Sequence, residues 1–378
     1  MIQNSEYIDL LSNSPLTKRQ LAVYRYGTKG ARPKIYLQAS LHADETPGML
    51  VLYHLNHLLK KAEQENNIIG EIVLVPVANP IGLGQILNGN LVGRYELSGK
   101  GNFNRAWPDL YLETVPCLEG KLTQNPEKNV NIIRQTIDEI LKKQKITNEL
   151  NALKLSLLKL AFDADFVFDL HCDDDALMHL FLIPDHWPAA QDLACDIHSQ
   201  AVLLCADSGG HSFDEALSTL WSKLAQTFPN YPIPAACMAG TIEYRGQTDV
   251  DDNLAHQDAI RLFNFMQRRF IIKGIPPPLP KPLCEATDLA ACDVLRSPIA
   301  GIVCYKHSLG SIIHQGDLVA EIIQPHLLDL QIREPIYSNT TGLLLSKRQH
   351  KMVRPGDTIA KIVGKETLSY RHGLLLED

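Results

Sequence analysis

Apolar residues in this chain fall into short, nearly unbroken runs separated by longer stretches of helical period. Residues 34–40 (KIYLQAS), 71–78 (EIVLVPVA), 165–170 (DFVFDL), 177–183 and 235–244 read as strands, the first of them buried. Period and composition predict helices over about 46–64, 126–160 and 251–272. Thr46 can cap the first helix, and Pro47 suits its first turn. Ser212-Phe213-Asp214-Glu215 matches a capping box, which makes that Ser and Glu helix-start residues rather than catalytic ones. Strands alternating with helices predict an α/β layered sheet. A Gly- and Asn-rich stretch over about 79–121 interrupts the alternation, and a loop of that length in a compact domain usually carries function or signals a misassigned element.

Residues 275–282 (IPPPLPKP) form a stiff, extended linker. The expected division is a larger α/β domain over 1–274, the linker over 275–283 and an all-β domain over 284–378. An internal repeat lies beyond the linker. Gly301-Ile302-Val303 leads to Gln315-Gly316-Asp317, and Gly342-Leu343-Leu344 leads to Pro355-Gly356-Asp357, each followed by a short apolar run. The two copies resemble the halves of a biotinyl/lipoyl-type β-sandwich. Such modules carry their cofactor on a lysine in the hairpin joining the halves. No lysine occurs between Lys306 and Lys347, so covalent attachment there is excluded and a cap or wall is expected.

Composition narrows the function classes. Hydrophobic residues make up 45% of the 378 and charged residues 21%, the profile of a soluble globular protein large enough for a sizeable core. A net charge of −7 without any basic run argues against nucleic acid or an anionic membrane as partner. The first twenty residues lack a continuous apolar stretch, and no segment approaches the ~18 apolar residues of a membrane span, so a cytoplasmic protein is expected. Eight cysteines without a C-x-x-C read as reduced thiols, and Cys172 reads as a small buried residue rather than a nucleophile. Whether the chain forms a homo-oligomer stays open.

Candidate chemistry begins at His42-Ala43-Asp44-Glu45, directly after the first strand. A histidine and a glutamate three positions apart can reach one cation, and zinc takes imidazole nitrogen and carboxylate oxygen readily. The pair is also a common surface contact. His171, at the end of the 165–170 strand, is the third ligand candidate, against the alternative of a structural histidine. Asp169 lies two positions earlier on the same face, where it either orients the ring or serves a turn. Glu243 is a general-base candidate, because a glutamate in an apolar strand is costly unless paired or used; exposure at an edge is the alternative. The strand assignments put His42, His171 and Glu243 at or just past carboxyl ends, where open α/β sheets bind ligands. In the long loop, Asn104-Arg105 and Arg94 offer groups for an anionic substrate, although Arg94 is equally readable as a solvated loop residue.

The ordered set HADE, FNR, DLH and IEYRG over roughly residues 33–365 resembles the aspartoacylase/succinylglutamate desuccinylase family of the zinc carboxypeptidase-related superfamily. That family typically shows H-G-N-E, L-N-R, D-L-H and a glutamate base, with a C-terminal β-domain. The resemblance implies a mixed central sheet with helices on both faces, carboxypeptidase-like, plus the C-terminal β-domain. Position by position, His42, Glu45 and His171 resemble the zinc ligands and Glu243 the catalytic glutamate. Asn104 and Arg105 resemble the pair that binds the substrate carboxylate and polarises the carbonyl, and Arg94 sits near the other substrate arginine. Ala43-Asp44 and Phe103 depart from the pattern without touching a ligand, which puts the substrate in doubt rather than the metal. The implied activity is zinc-dependent deacylation of a small N-acyl substrate. A metallocarboxypeptidase and a non-catalytic metal-binding scaffold are the alternatives.

Overall fold

The computed structural model describes residues 5–376. Its centre is a nine-stranded mixed sheet in the order Ser5–Asp9, Gln20–Gly27, Glu71–Val75, Lys34–Ala39, Phe166–Asp173, Met238–Gly246, His179–Leu182, Ala201–Leu204, Ala286–Asp288. The four strands starting at Glu71, Lys34, Phe166 and Met238 run parallel. Parallel neighbours need crossovers, and the crossovers here are helices.

Alternate residues of these strands feed two separate cores, the arrangement expected for a sheet covered on both faces. Tyr36, Val73 and Val167 pack with helices Leu110–Leu118, Pro126–Lys143, Glu149–Ala161 and Phe213–Thr227. Ile35, Leu37, Leu74 and Phe168 pack on the other side with Pro47–Gln64, Gln191–Asp196 and Asp252–Arg268. Among the described residues, no helix is long and apolar enough to cross a membrane.

Several boundaries differ from the sequence reading. The expected helix over 126–160 is two helices, because Asn148 caps a new one by accepting from the Asn151 amide. The strand over 165–170 continues to Asp173, so His171 lies within it. The long stretch over 79–121 is not a bare loop. It holds a helical turn, two small hairpins and the helix Leu110–Leu118, capped by Asp109. Thr46 occupies the cap position of its helix, but its side chain makes no capping bond.

Past the Pro-rich segment, Ala286–Asp288 adds the last strand to the main sheet, so the chain leaves that sheet only at Leu289. Two β-sheets follow. The repeat copies each form a long strand, a short one and a long one, and they exchange their short strands. Ile312–Ile313 of the first copy pairs with Gly342–Lys347 of the second, while Met352–Val353 of the second pairs with Gly301–Tyr305 of the first. The repeated Gly-Asp explains itself in the turns. Gly316 and Gly356 both take φ +88°, and Asp317 and Asp357 each accept from the amide three residues earlier. Asp175–Ala176, just after the His171 strand, pairs with Ser346 and Lys347 and ties this part to the main sheet.

Gly48 lets the first helix close on the strands that carry the site. A Cβ there would lie 2.9 Å from Leu170 Cβ and 3.2 Å from Ala39 Cβ. Gly48→Ala is therefore expected to destabilise by about 1–3 kcal/mol through overpacking, read from urea unfolding. Stabilisation by the ~0.5–1 kcal/mol that helix propensity alone supplies would contradict this packing account.

Candidate metal centre and its cavity

The turn between the Lys34–Ala39 strand and the Pro47–Gln64 helix holds His42 and Glu45 together, its Glu45 amide donating to the His42 carbonyl at 3.1 Å. Ala43, the departure from a glycine pattern, fits because glycines face it. A Cβ on Gly82 or Gly93 would meet the Ala43 methyl at 3.0 or 2.6 Å. His171 comes from the neighbouring strand, and all three side chains are buried.

Glu45 stands between the two imidazoles. Its Oε1 is 3.0 Å from His42 Nδ1 and its Oε2 is 2.8 Å from His171 Nδ1. The far nitrogens are also held. His42 Nε2 lies 2.7 Å from Asn102 Oδ1, an oxygen identified by the Asn104 amide that also donates to it at 2.8 Å. His171 Nε2 lies 2.9 Å from Asp169 Oδ2. An acceptor behind each ring favours the proton on the far nitrogen whenever that ring is neutral, which turns Nδ1 toward the Glu45 carboxylate as the atom that can take a cation. In a neutral ring of that tautomer Nδ1 and the oxygen it faces are both acceptors, so a proton or a metal ion is what joins them. One ligand atom from each residue can be chosen with all three within 4.8 Å of one another. Two imidazoles and a carboxylate with their backing acceptors form a donor set that fits a divalent metal.

The charge balance agrees. Burial and then the Arg94 charge lower His42 to about 4, keeping it in the neutral ligand form. Burial alone would raise Glu45, but the two histidines hold it well below the usual carboxylate range. Burial alone would lower His171, yet Asp169 and Glu45 outweigh it and hold it well above the usual imidazole range, so that without a metal the ring is protonated. Arg94 is not a solvated loop residue. Its Nη1 donates to Glu45 Oε1 at 2.8 Å and lies 3.3 Å from His42 Nδ1.

Glu243 is the register partner of His171 on the adjacent strand, which puts both side chains on one face. Its Oε2 is buried with no hydrogen-bond partner among the described residues, and burial, then Glu45, push its pKa up. Asn104 accepts from the Phe213 amide at 2.9 Å, and Arg105 donates to the Asn104 carbonyl at 2.9 Å. Cys172 is buried and its thiol is pushed up by burial, the opposite of an activated nucleophile; its amide donates to Glu45 Oε2. The Ser212 and Glu215 capping box is present at the start of its helix.

These groups open onto one cavity of about 780 Å³. One wall comes from the repeat region, including Lys347, Arg348 and Lys361. Lys361 pairs with Asp173 at 2.5 Å, two residues beyond His171. Two partners escaped sequence reasoning, Asn102 behind His42 and Lys361 in the wall. The spacing Asn102-x-Asn104 in a Gly-rich loop was the available signal for the first; nothing local marked the second.

The sequence profile of the succinylglutamate desuccinylase/aspartoacylase catalytic domain matches residues 31–268. A protein of that family from Shewanella amazonensis superposes with a TM-score of 0.83 at 24% identity, covering 95% of this chain and 98% of its own. One from Shewanella frigidimarina gives 0.83 at 22%, covering 95% and 96%. The product-bound ectoine utilization protein EutE (DoeB) from Ruegeria pomeroyi gives 0.64 at 17%, covering 96% and 95%. No curated protein matches the sequence.

Removing either backing acceptor loosens the ligand histidine in front of it. Asn102→Ala and Asp169→Asn are each expected to weaken metal affinity by about 10–100-fold, measured by chelator competition with zinc as probe. Wild-type affinity in both variants would rule out this role.

Proposed function

Because the chain belongs to the succinylglutamate desuccinylase/aspartoacylase family, we propose that it is a zinc-dependent amidohydrolase that removes the acyl group from a small N-acyl amino acid or related N-acyl amine. The observation that carries this reading is the convergence of His42, Glu45 and His171 with Glu243 beside them in one cavity. Zinc held by those three residues supplies Lewis acidity toward the amide carbonyl and acidifies water. The imidazole and carboxylate donors suit zinc among the first-row metals.

Glu243 acts as the general base. Its unpartnered Oε2 takes a proton from the attacking water and returns it to the leaving nitrogen, and its burial tunes it toward that work. Arg105, next to Asn104, holds the substrate carboxylate or the developing oxyanion. Arg94 sits against Glu45 at the cavity, where its guanidinium would also face an anionic substrate. The wall from the repeat region bounds the cavity on one side, which supports small acyl compounds over peptide chains as substrates.

The zinc-loaded protein is expected to release free amine from at least one member of a panel of N-acyl amino acids and to leave short peptides intact. Release of C-terminal residues from peptides, with none from the acyl panel, would replace deacylation by carboxypeptidase activity. Glu243→Gln is expected to lower kcat by about 10²–10⁴-fold with zinc content unchanged. Undiminished turnover in that variant would remove Glu243 from the mechanism.

A further inference from the structure

Lys154, in the helix Glu149–Ala161, lies outside every motif above. Its ammonium donates to the Arg105 carbonyl at 2.6 Å and the Ala106 carbonyl at 3.3 Å, and it sits 5.4 Å from the centroid of the Trp107 ring. Among the described residues no carboxylate pairs with it, and burial lowers its pKa to about 8. A part-buried lysine satisfied only by two carbonyls and an aromatic face serves the segment that supplies them.

That segment is strained and tightly held. Ala106 takes φ +53°, a left-handed conformation that a residue with a Cβ rarely adopts. The amides of Ala106 and Trp107 donate to the carbonyls of Gly210 and His211 at 3.0 and 3.1 Å. Trp107 packs on Phe213, whose amide holds Asn104. The Arg105 side chain runs across Gly210 so closely that a Cβ there would lie 2.5 Å from Arg105 Cδ. The 208–213 loop thus grips the turn from one side and Lys154 from the other.

We propose that Lys154 is a positioning residue: by holding the carbonyls of Arg105 and Ala106 it fixes the left-handed turn that aims the Arg105 guanidinium into the cavity. The inference rests on the deacylase reading and takes the anion that Arg105 holds to be the substrate carboxylate. It predicts an effect on anion binding rather than on the chemical step, since Lys154 touches neither the metal ligands nor Glu243. A lysine that only stabilised the fold would lower the melting temperature and leave binding alone.

The test compares zinc-loaded wild type with Lys154→Met, Lys154→Gln and Lys154→Arg. Succinate affinity is measured by calorimetry, and KM and kcat are measured for the panel substrate that wild type turns over fastest. Lys154→Met is expected to raise the succinate Kd and KM by about 10–100-fold with kcat changed less than about threefold, and Lys154→Arg to recover most of that loss. If Lys154→Met does not fold, Lys154→Gln, which keeps one donor without the charge, is read in its place. Unchanged Kd and KM in a folded variant, an equal fall in kcat and kcat/KM, or a wild type that binds no succinate would each overturn the inference. Wild type that binds succinate but hydrolyses no acyl compound would overturn the deacylase reading alone, because the Kd comparison still reports on Lys154.

Discussion

Glu45 is an ionised carboxylate buried to 2% exposure with an imidazole against each oxygen, and the surrounding structure answers to that burial. Taking a carboxylate out of water costs several kcal/mol even after relaxation, so its charge must be met by positive charge of good geometry. His171, held protonated by Asp169 and Glu45, supplies part of it, whereas burial and Arg94 keep His42 neutral. Arg94 supplies a further part, and the three side chains are placed to take a divalent ion. The Cys172 amide adds a further donor to the same oxygen that faces His171.

The fold delivers that arrangement through register. Parallel strands starting at Lys34, Phe166 and Met238 lie in register, Ala39 opposite Leu170 and Glu243 opposite His171, so His42, His171 and Glu243 reach one crevice without any being near another in sequence. Gly48, Gly82 and Gly93 remove the side chains that would push the turn and helix away from those strand ends. The repeat region closes the opposite side, and its fastenings include the Asp175–Ala176 pairing and the Lys361–Asp173 ion pair. Both fastenings lie just beyond His171, so the wall and the metal centre share one stretch of backbone.

Much of this was legible in the amino-acid order. Continuous apolar runs marked the central strands because both of their faces are buried, and the HADE, FNR and DLH stretches marked the residues that the fold brings together. What stayed hidden had physical reasons. The strand Ala286–Asp288 is three residues of mixed polarity at a sheet edge, too short for a period to show. The helix Leu110–Leu118 was masked by the Gly-rich context before it and by Pro116 inside it. The exchange of short strands between the repeat copies is a property of pairing that no single copy displays. Asn102 and Lys154 act on partners 60 and 49 positions away, and such distances leave no local pattern.

X-ray absorption at the zinc edge of the purified, zinc-loaded protein tests the central claim most directly. The account predicts one zinc per chain with two imidazole nitrogens and carboxylate oxygen in its inner sphere, and no sulfur. A sulfur shell from Cys172, or a spectrum with a single imidazole, would contradict a centre built on His42, Glu45 and His171.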